Sequence, residues 1–552
     1  MPDSASLRGR QALNDPHLNR GTAFTTEERE RLGLTGLLPP GKQTLADQVA
    51  RVLENSRRKP SDLERYIFMM ALLDRNETLF YRTLLDHLRE FLPIVYTPTV
   101  GQAALEYGHI FRRPHGLYVT ADDRGRIPEV LANWDETDVR VIVVTDGSRI
   151  LGLGDLGANG MSISIGKLAL YTAAGGIDPR CTLPVMLDVG TDNEKLLEDP
   201  MYLGLRRRRL GNDEYLALVD EFMESVDAAF PDALVQFEDF VTPRAFALLR
   251  RYRDRYRMFN DDIQGTAAVA LAGLMAAMRI TGEELDARRY LFVGAGSANT
   301  GIADLLVRAL EREGLSGSEA RERCWFFDED GLITASRTAL EPHSRPYAHP
   351  AEASRELRGA IRALEPAALI GATGVPGVFT REALREMAEI NRRPIIFALS
   401  NPTDRSEVTA EHAYEWTDGR AIFASGSPFE PVTRAGRRFE PAQANNVYVF
   451  PGIGLGVTTF GIDRVSEETF LAAADALADA VSSDRLERGA VFPPLTAIRD
   501  VSARIAAAVG RVAVEEGMAE APDREDVDAF VRERMYEPVY ERPIPASAGG
   551  MK

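Results

Sequence analysis

The stretch Tyr290–Leu310, YLFVGAGSANTGIADLLVRAL, decides the fold, because it reads as strand, glycine turn and helix. Gly294 allows a tight turn. Gly296 lets the backbone approach a pyrophosphate at the N-terminus of the helix that follows. With Ser297 and Ala298 they form the candidate phosphate loop. The usual third glycine position holds Asn299, and Gly301 comes two later, so the detail of the phosphate contacts stays open. The next strand, CWFFDEDG, ends in Asp328, a carboxylate suited to a ribose hydroxyl. It lies 32 residues beyond Gly296, against about 20 in the standard fingerprint; a longer helix and loop account for the difference. The bland alternative is a structural glycine turn in an α/β sheet.

Outward from this unit the texture repeats. AALIGATG, PIIFALSNP and AIFASGSP follow as short buried runs ending in turns, most of them separated by helical segments. They describe a doubly wound sheet. Upstream, VRVIVVTDG, TLPVMLDVG and ALVQFEDF read as a second set of buried parallel strands, with polar loops at their carboxyl ends. Before them, SDLERYIFMMALLDRNETLFYRTLLDHL has helical spacing, with Ser61 as its N-cap. The expected architecture is α/β: a helical N-terminal domain over 1–115, a central parallel-sheet domain over 116–260 and 446–520, a Rossmann-type NAD-binding domain over 261–445, and a C-terminal extension over 521–552.

The bulk properties narrow the classes. A chain of 552 residues exceeds one ordinary core. A net charge of −18 argues against non-specific nucleic-acid binding. No run of about 18 apolar residues is apparent, so no membrane span is expected. The basic run Arg206–Arg209 reads as a solvated loop. Two distant cysteines, Cys181 and Cys324, suggest neither a disulfide framework nor a thiolate zinc site, and the seven histidines show no HExxH spacing. The N-terminus lacks an apolar secretory core, which points to a cytoplasmic protein.

Two acids, Asp261 and Asp262 in FNDDIQG, stand before the apolar segment TAAVALAGLMAAM. One acid is explained by capping and the helix dipole; two are not. QFEDF adds Glu238 and Asp239 at another predicted strand end. With Asp262 these give a carboxylate set for Mg²⁺ or Mn²⁺. Strict alternation would point Glu238 and Asp239 to opposite faces, so both can ligate only if the strand has ended or bent there. Taken alone, such acids are more often surface or capping groups. Arg149, in DGSRILGLGDLG, suits a substrate carboxylate. Lys167 sits among Ile163, Ile165, Leu168 and Leu170, where burial would suit a general base; snorkelling is the commoner fate of such a lysine. Tyr96 precedes a proline turn in VYTPTVG.

Taken in order, NRGTAFTTEERERLGLTGLLPP, VYTPTVG, DGSRILGLGDLG, VQFEDF, FNDDIQGTAAVALAG, LSNPT, FASGSPF and NNVYVFPGIGLG resemble the malic enzymes in their long-subunit form, from Asn19 to Gly456. The resemblance implies oxidation and decarboxylation of L-malate to pyruvate and CO₂ with NAD or NADP and a divalent metal. It implies Glu238, Asp239 and Asp262 as metal ligands, Asp261 as the acid behind them that orients or tunes the lysine, Lys167 as general base and Tyr96 as general acid. Arg149 would hold malate. Asn401 and Asn445 or Asn446 would contact malate and the nicotinamide side. Arg51 and Arg75 match positions where some members bind fumarate as an activator; the alternative is a pair of exposed or ion-paired helical arginines. A homodimer or homotetramer is implied. NAD is expected over NADP, because Asp328, Glu329 and Asp330 would repel a 2′-phosphate; Arg337 and Arg345 weigh on the other side. The rival readings are a malolactic enzyme of the same fold and a non-catalytic nucleotide-binding protein.

Overall fold

The computed structural model of the chain describes residues 7–522 and 525–540. Contacts divide these into two compact units: residues 7–147, 155–231 and 535–540 form one, and residues 148–154 and 232–534 the other. The division falls at other points than the boundaries drawn from sequence texture.

After two short helices, Arg10–Asn14 and Thr26–Arg31, the first unit continues with helices Leu45–Arg57, Asp62–Leu73 and Glu77–Asp86. Each of the latter three starts where a short polar side chain covers a free N–H: Thr44 on Asp47, Ser61 on Glu64, Asn76 on Leu79. Strands β1 (Leu117–Thr120), β2 (Val141–Thr145) and β3 (Thr182–Asp188) run parallel with β3 in the middle. Every residue of β2 and β3 is buried, which is why both read as unbroken apolar runs. The helix Met161–Ala173 packs on β2 and β3 and is buried on every side. Of the run expected to be a solvated loop, Arg206 to Arg208 are exposed, whereas Arg209 is half-buried. Its side chain is 6% exposed and forks onto both oxygens of Asp155 at 2.8 and 2.7 Å. A fourth arginine in a basic run has thereby become an internal clamp.

The second unit holds the parallel pair β4 (Leu234–Phe237) and β5 (Met258–Asn260). It also holds a seven-stranded sheet. Strands β6 (Tyr290–Val293), β7 (Cys324–Asp328), β9 (Ala368–Gly371), β10 (Ile395–Ala398), β11 (Ile422–Ser425) and β14 (Ala442–Gln443) are parallel in the order β14-β11-β10-β9-β6-β7. The two-residue β8 (Gly331–Leu332) closes the edge antiparallel to β7, while β12 (Val432–Arg434) and β13 (Arg437–Phe439) form a separate hairpin. The order doubles back at β6, so the ligand crevice expected of such a sheet lies beyond the carboxyl ends of β6 and β9. Residues 446–520 belong to this unit; their helices Phe450–Phe460, Glu467–Asp479 and Ile498–Glu515 pack together beside Thr266–Thr281.

The helical run Asp261–Thr281 is long and apolar enough to cross a bilayer by length and composition alone. Its most apolar window is 78% buried inside the protein, which is the signature of a core helix. The C-terminal extension carries regular structure of its own. Val527–Arg532 is helical, and Tyr540 Oη donates to Gln48 Oε1 at 2.9 Å and accepts from Asn76 Nδ2 at 2.7 Å in the first unit. Positions 523–524 and 541–552 of that extension lie outside the described residues.

Candidate active site

In the second unit, β4 ends at Phe237, and the chain then turns at Asp239, whose φ is 58°. A left-handed backbone at a residue other than glycine is uncommon and clusters at functional sites. Here it breaks the alternation that would have sent Glu238 and Asp239 to opposite faces. Glu238 and Asp239 are 2% and 6% exposed. Their carboxylate oxygens and one from Asp262 lie within 4.8 Å of one another. Gln236 Nε2 donates to Glu238 Oε2 at 2.8 Å, and the Asp239 N–H donates to Asp262 Oδ2 at 2.7 Å. Three converging carboxylates with hard oxygen donors fit a divalent cation such as Mg²⁺ or Mn²⁺.

Asp262 reaches this cluster from a five-residue π-turn, Asp261–Gly265, between β5 and the buried helix. Neither acid is the cap: the Asn260 side chain accepts from the Ile263 N–H at 3.0 Å. Asp261, fully buried, instead accepts from Asn446 Nδ2 at 2.9 Å, and that amide also reaches Thr266 Oγ1 at 3.1 Å. Its carboxylate lies over Gly265, where any Cβ would sit 1.8 Å from Asp261 Oδ1. The π-turn thus splits the two acids, one toward the carboxylate cluster and one into the protein.

Arg149 is brought to the same corner. Its N–H donates to the Asp239 carbonyl at 3.2 Å, and Ser148 Oγ accepts from the Val241 N–H at 2.9 Å, leaving the Arg149 side chain exposed. Asn445 Oδ1 accepts from the Val447 N–H at 3.0 Å as a cap, so of the two asparagines it is Asn446 that meets the acids. Asn401 is exposed after β10, and its Oδ1 accepts from Ser427 Oγ.

The glycine turn follows β6. Gly294 has φ 93°, and Gly296 has open space where a Cβ would project. The helix Ser297–Arg312 starts with no side-chain cap among the described residues. Its first N–H groups therefore face the turn, as an anion site requires. Ser297 Oγ lies 3.4 Å from Thr242 Oγ1. Asn299 does not take the glycine's place at the phosphates: its Nδ2 donates to the carbonyls of Val293 and Gly294, both at 2.8 Å, and ties strand to helix. Gly301 supplies the close approach, since a Cβ there would stand 2.6 Å from the Ile263 carbonyl in the π-turn. Asp328, at the end of β7, pairs with Arg337 at 2.7 Å; Asp330 is 3.4 Å from the same guanidinium. Arg345 is exposed on the following loop.

In the first unit, Lys167 is 1% exposed inside the helix Met161–Ala173, so it does not snorkel. Its Nζ lies 5.4 Å from the centroid of the Tyr96 ring, which is 5% exposed. Gly166 makes this possible: a Cβ there would press to 3.0 Å from the Val95 carbonyl and 3.1 Å from the Tyr96 ring. Arg51 and Arg75 line one cavity of about 300 Å³ together with Gln48, Asn55 and Asn76.

A glycine turn on a doubly wound sheet, with a trio of converging carboxylates in the same unit, fits the class of dinucleotide-binding oxidoreductases. Comparison with known proteins narrows the class. Residues 73–253 match the model of the malic enzyme N-terminal domain and residues 263–514 that of the malic enzyme NAD binding domain. The chain is 50% identical over 536 residues to the NADP-dependent malic enzyme of Columba livia, covering 97% of this chain and 96% of that one. It is 50% identical over 541 residues to the human NADP-dependent malic enzyme, covering 98% and 95%. The solved malic enzyme of Entamoeba histolytica shares the fold at TM-score 0.58 and 22% identity, over 92% of each chain. This chain belongs to the malic enzyme family.

Proposed function

We propose that this protein oxidises L-malate and decarboxylates it to pyruvate and CO₂, with NAD as hydride acceptor and Mg²⁺ or Mn²⁺ as the metal. Beyond the family, the observation that supports the reading is the trio Glu238, Asp239 and Asp262, two of them buried and one half-buried, with oxygens within 4.8 Å of one another. These residues would hold the metal, which when bound would polarise the C2 oxygen of malate. Arg149 pairs with a substrate carboxylate. Lys167, as neutral amine, would take the C2 hydroxyl proton, and a bound nicotinamide would supply the hydride acceptor. Tyr96 returns a proton to C3 after CO₂ leaves. Asn446 holds Asp261 in place behind Asp262. The test is reduced-dinucleotide absorbance with malate and Mn²⁺, together with product identification. Pyruvate with steady NADH release is expected; lactate without it would make this a malolactic enzyme, and no turnover would favour a non-catalytic binder. The same reading makes it a cytoplasmic homodimer or homotetramer, which light scattering can check for assembly.

The relatives' names speak for NADP. The charge at the end of β7 speaks for NAD. Asp328, Glu329 and Asp330 outnumber Arg337, which is already engaged by two of them. A 2′-phosphate would add roughly two negative charges there. The expected result is a kcat/KM ratio above one for NAD over NADP at equal malate and metal. A ratio favouring NADP would overturn it and point to Arg345, whose replacement by Gln should then lower NADP use and spare NAD.

The shared cavity at Arg51 and Arg75 supports a dicarboxylate activator site, since two guanidiniums can clamp two carboxylates. Fumarate at millimolar levels should raise the rate at subsaturating malate, and Arg51→Ala should remove the response. A flat response of the unaltered protein would leave two structural arginines.

A further inference from the structure

The loop Glu341–Tyr347, EPHSRPY, carries a histidine that the sequence reading left without a role. His343 Nε2 lies 2.8 Å from the carbonyl oxygen of Ala295, the middle residue of the glycine turn. A carbonyl only accepts, so Nε2 must carry the proton and donate. The ring is not loose: it stacks on Phe246 with centroids 5.2 Å apart and planes 19° from parallel. The loop itself is anchored on both sides of the histidine. Ser344 donates twice to the Glu341 carbonyl, through its N–H and its hydroxyl, and Tyr347 Oη donates to Asp304 Oδ1 on the helix that follows the turn.

We infer that His343 is a positioning residue of the dinucleotide site, acting through the peptide group between Ala295 and Gly296. That peptide is planar, and in a trans peptide C=O and N–H point in opposite directions. Holding the Ala295 carbonyl toward His343 therefore aims the Gly296 N–H away from His343. Without a partner the peptide can rotate about ψ of Ala295 and φ of Gly296, and glycine restrains its side of that rotation least. His343 thus supplies rigidity that the glycines remove, and does so from outside the fingerprint. Asn299 holds the carbonyls of Val293 and Gly294, so the successive carbonyls of the turn are each fixed by a side chain.

The inference rests on the glycine turn being the dinucleotide site, and the experiment separates the two. Dinucleotide binding to the full-length protein is measured directly by titration calorimetry, and kinetics are run for His343→Ala, His343→Gln and Phe246→Leu. The Gln amide places an N–H at about the reach of Nε2. The expected pattern for His343→Ala is a rise of about tenfold in dinucleotide KM and Kd, the scale of one lost hydrogen bond, with kcat and malate KM nearly unchanged. Gln should restore most of the loss, and Phe246→Leu should give a smaller rise of the same kind. Unchanged dinucleotide affinity in His343→Ala overturns the role, and so does equal impairment of the Ala and Gln variants. If His343→Ala does not fold, the Gln and Leu variants decide: full affinity in the Leu variant with lost affinity in the Gln variant also overturns it. Failure of the unaltered protein to bind either dinucleotide would instead remove the underlying assignment of the turn.

Discussion

Lys167→Ala should lose malate oxidation by a factor of about 10²–10⁴, the range of general-base help, while keeping dinucleotide binding. Taking an amine out of water favours its neutral form, which a base must present. At 1% exposure, Lys167 is among the most deeply buried large side chains in the protein. Burial also means that truncation leaves a hole, so stability must be separated from chemistry. Lys167→Met fills nearly the same volume and removes only the amine. Both variants should be equally inactive, and the methionine variant should melt close to the unaltered protein. Tyr96→Phe keeps the ring whose centroid lies 5.4 Å from Lys167 Nζ and removes only the hydroxyl. It should slow pyruvate formation more than it slows reduction of added oxaloacetate, since only the former needs a proton at C3. Near-normal turnover in Lys167→Met, measured as initial rate at saturating malate, would refute the assignment.

Much of this site could be read in advance because its signals are local. The turn after β6 is a matter of consecutive residues, and the apolar runs of β2, β3 and β6 announce their own burial. Lys167 was legible only as a lysine among apolar neighbours; that it stays inside depends on Gly166 admitting Val95 and Tyr96, a contact some seventy positions away in the chain. Other features depend on distant parts too. Alternation counted against Glu238 and Asp239 acting together, and the reversal comes from a single left-handed residue that its type signals only weakly: aspartate is enriched there among non-glycine residues, yet most aspartates do not take it. Arg209 looked like its exposed neighbours because composition cannot say which arginine meets Asp155. His343 had no signal beyond being a histidine between prolines: its partner is a backbone carbonyl, invisible to any motif. Asn299 was seen as a departure, and its use as a tie between strand and helix required the coordinates of two carbonyls.

Chelation should abolish turnover, and Mn²⁺ or Mg²⁺ should restore it, for a reason that also governs stability. Three carboxylates whose oxygens lie within 4.8 Å repel one another when ionised. At an effective dielectric constant near 20, one such pair costs roughly 3 kcal/mol. Hydrogen bonds from Gln236 Nε2 and the Asp239 N–H offset part of this, and a divalent cation reverses its sign. The metal-loaded protein should therefore melt at a higher temperature than the chelated one, by an amount that grows with free metal. Asp262→Asn keeps an oxygen to accept the Asp239 N–H but removes one charge. It should leave the chelated protein at least as stable as before, while metal affinity falls by about 10²-fold or more, since even residues behind the ligands are worth 10–100-fold. Glu238→Gln should behave alike. Asp261→Asn should differ: Asp261 points at Asn446 rather than into the trio, so its replacement should spare most of the metal-induced rise in melting temperature while lowering the rate. Calorimetric titration with Mn²⁺ and thermal melts read these effects without any turnover. Full activity in protein verified to be free of metal, or an undiminished Mn²⁺ response in the Asp262→Asn, Glu238→Gln double variant, would place the cation elsewhere and remove these acids from the metal site.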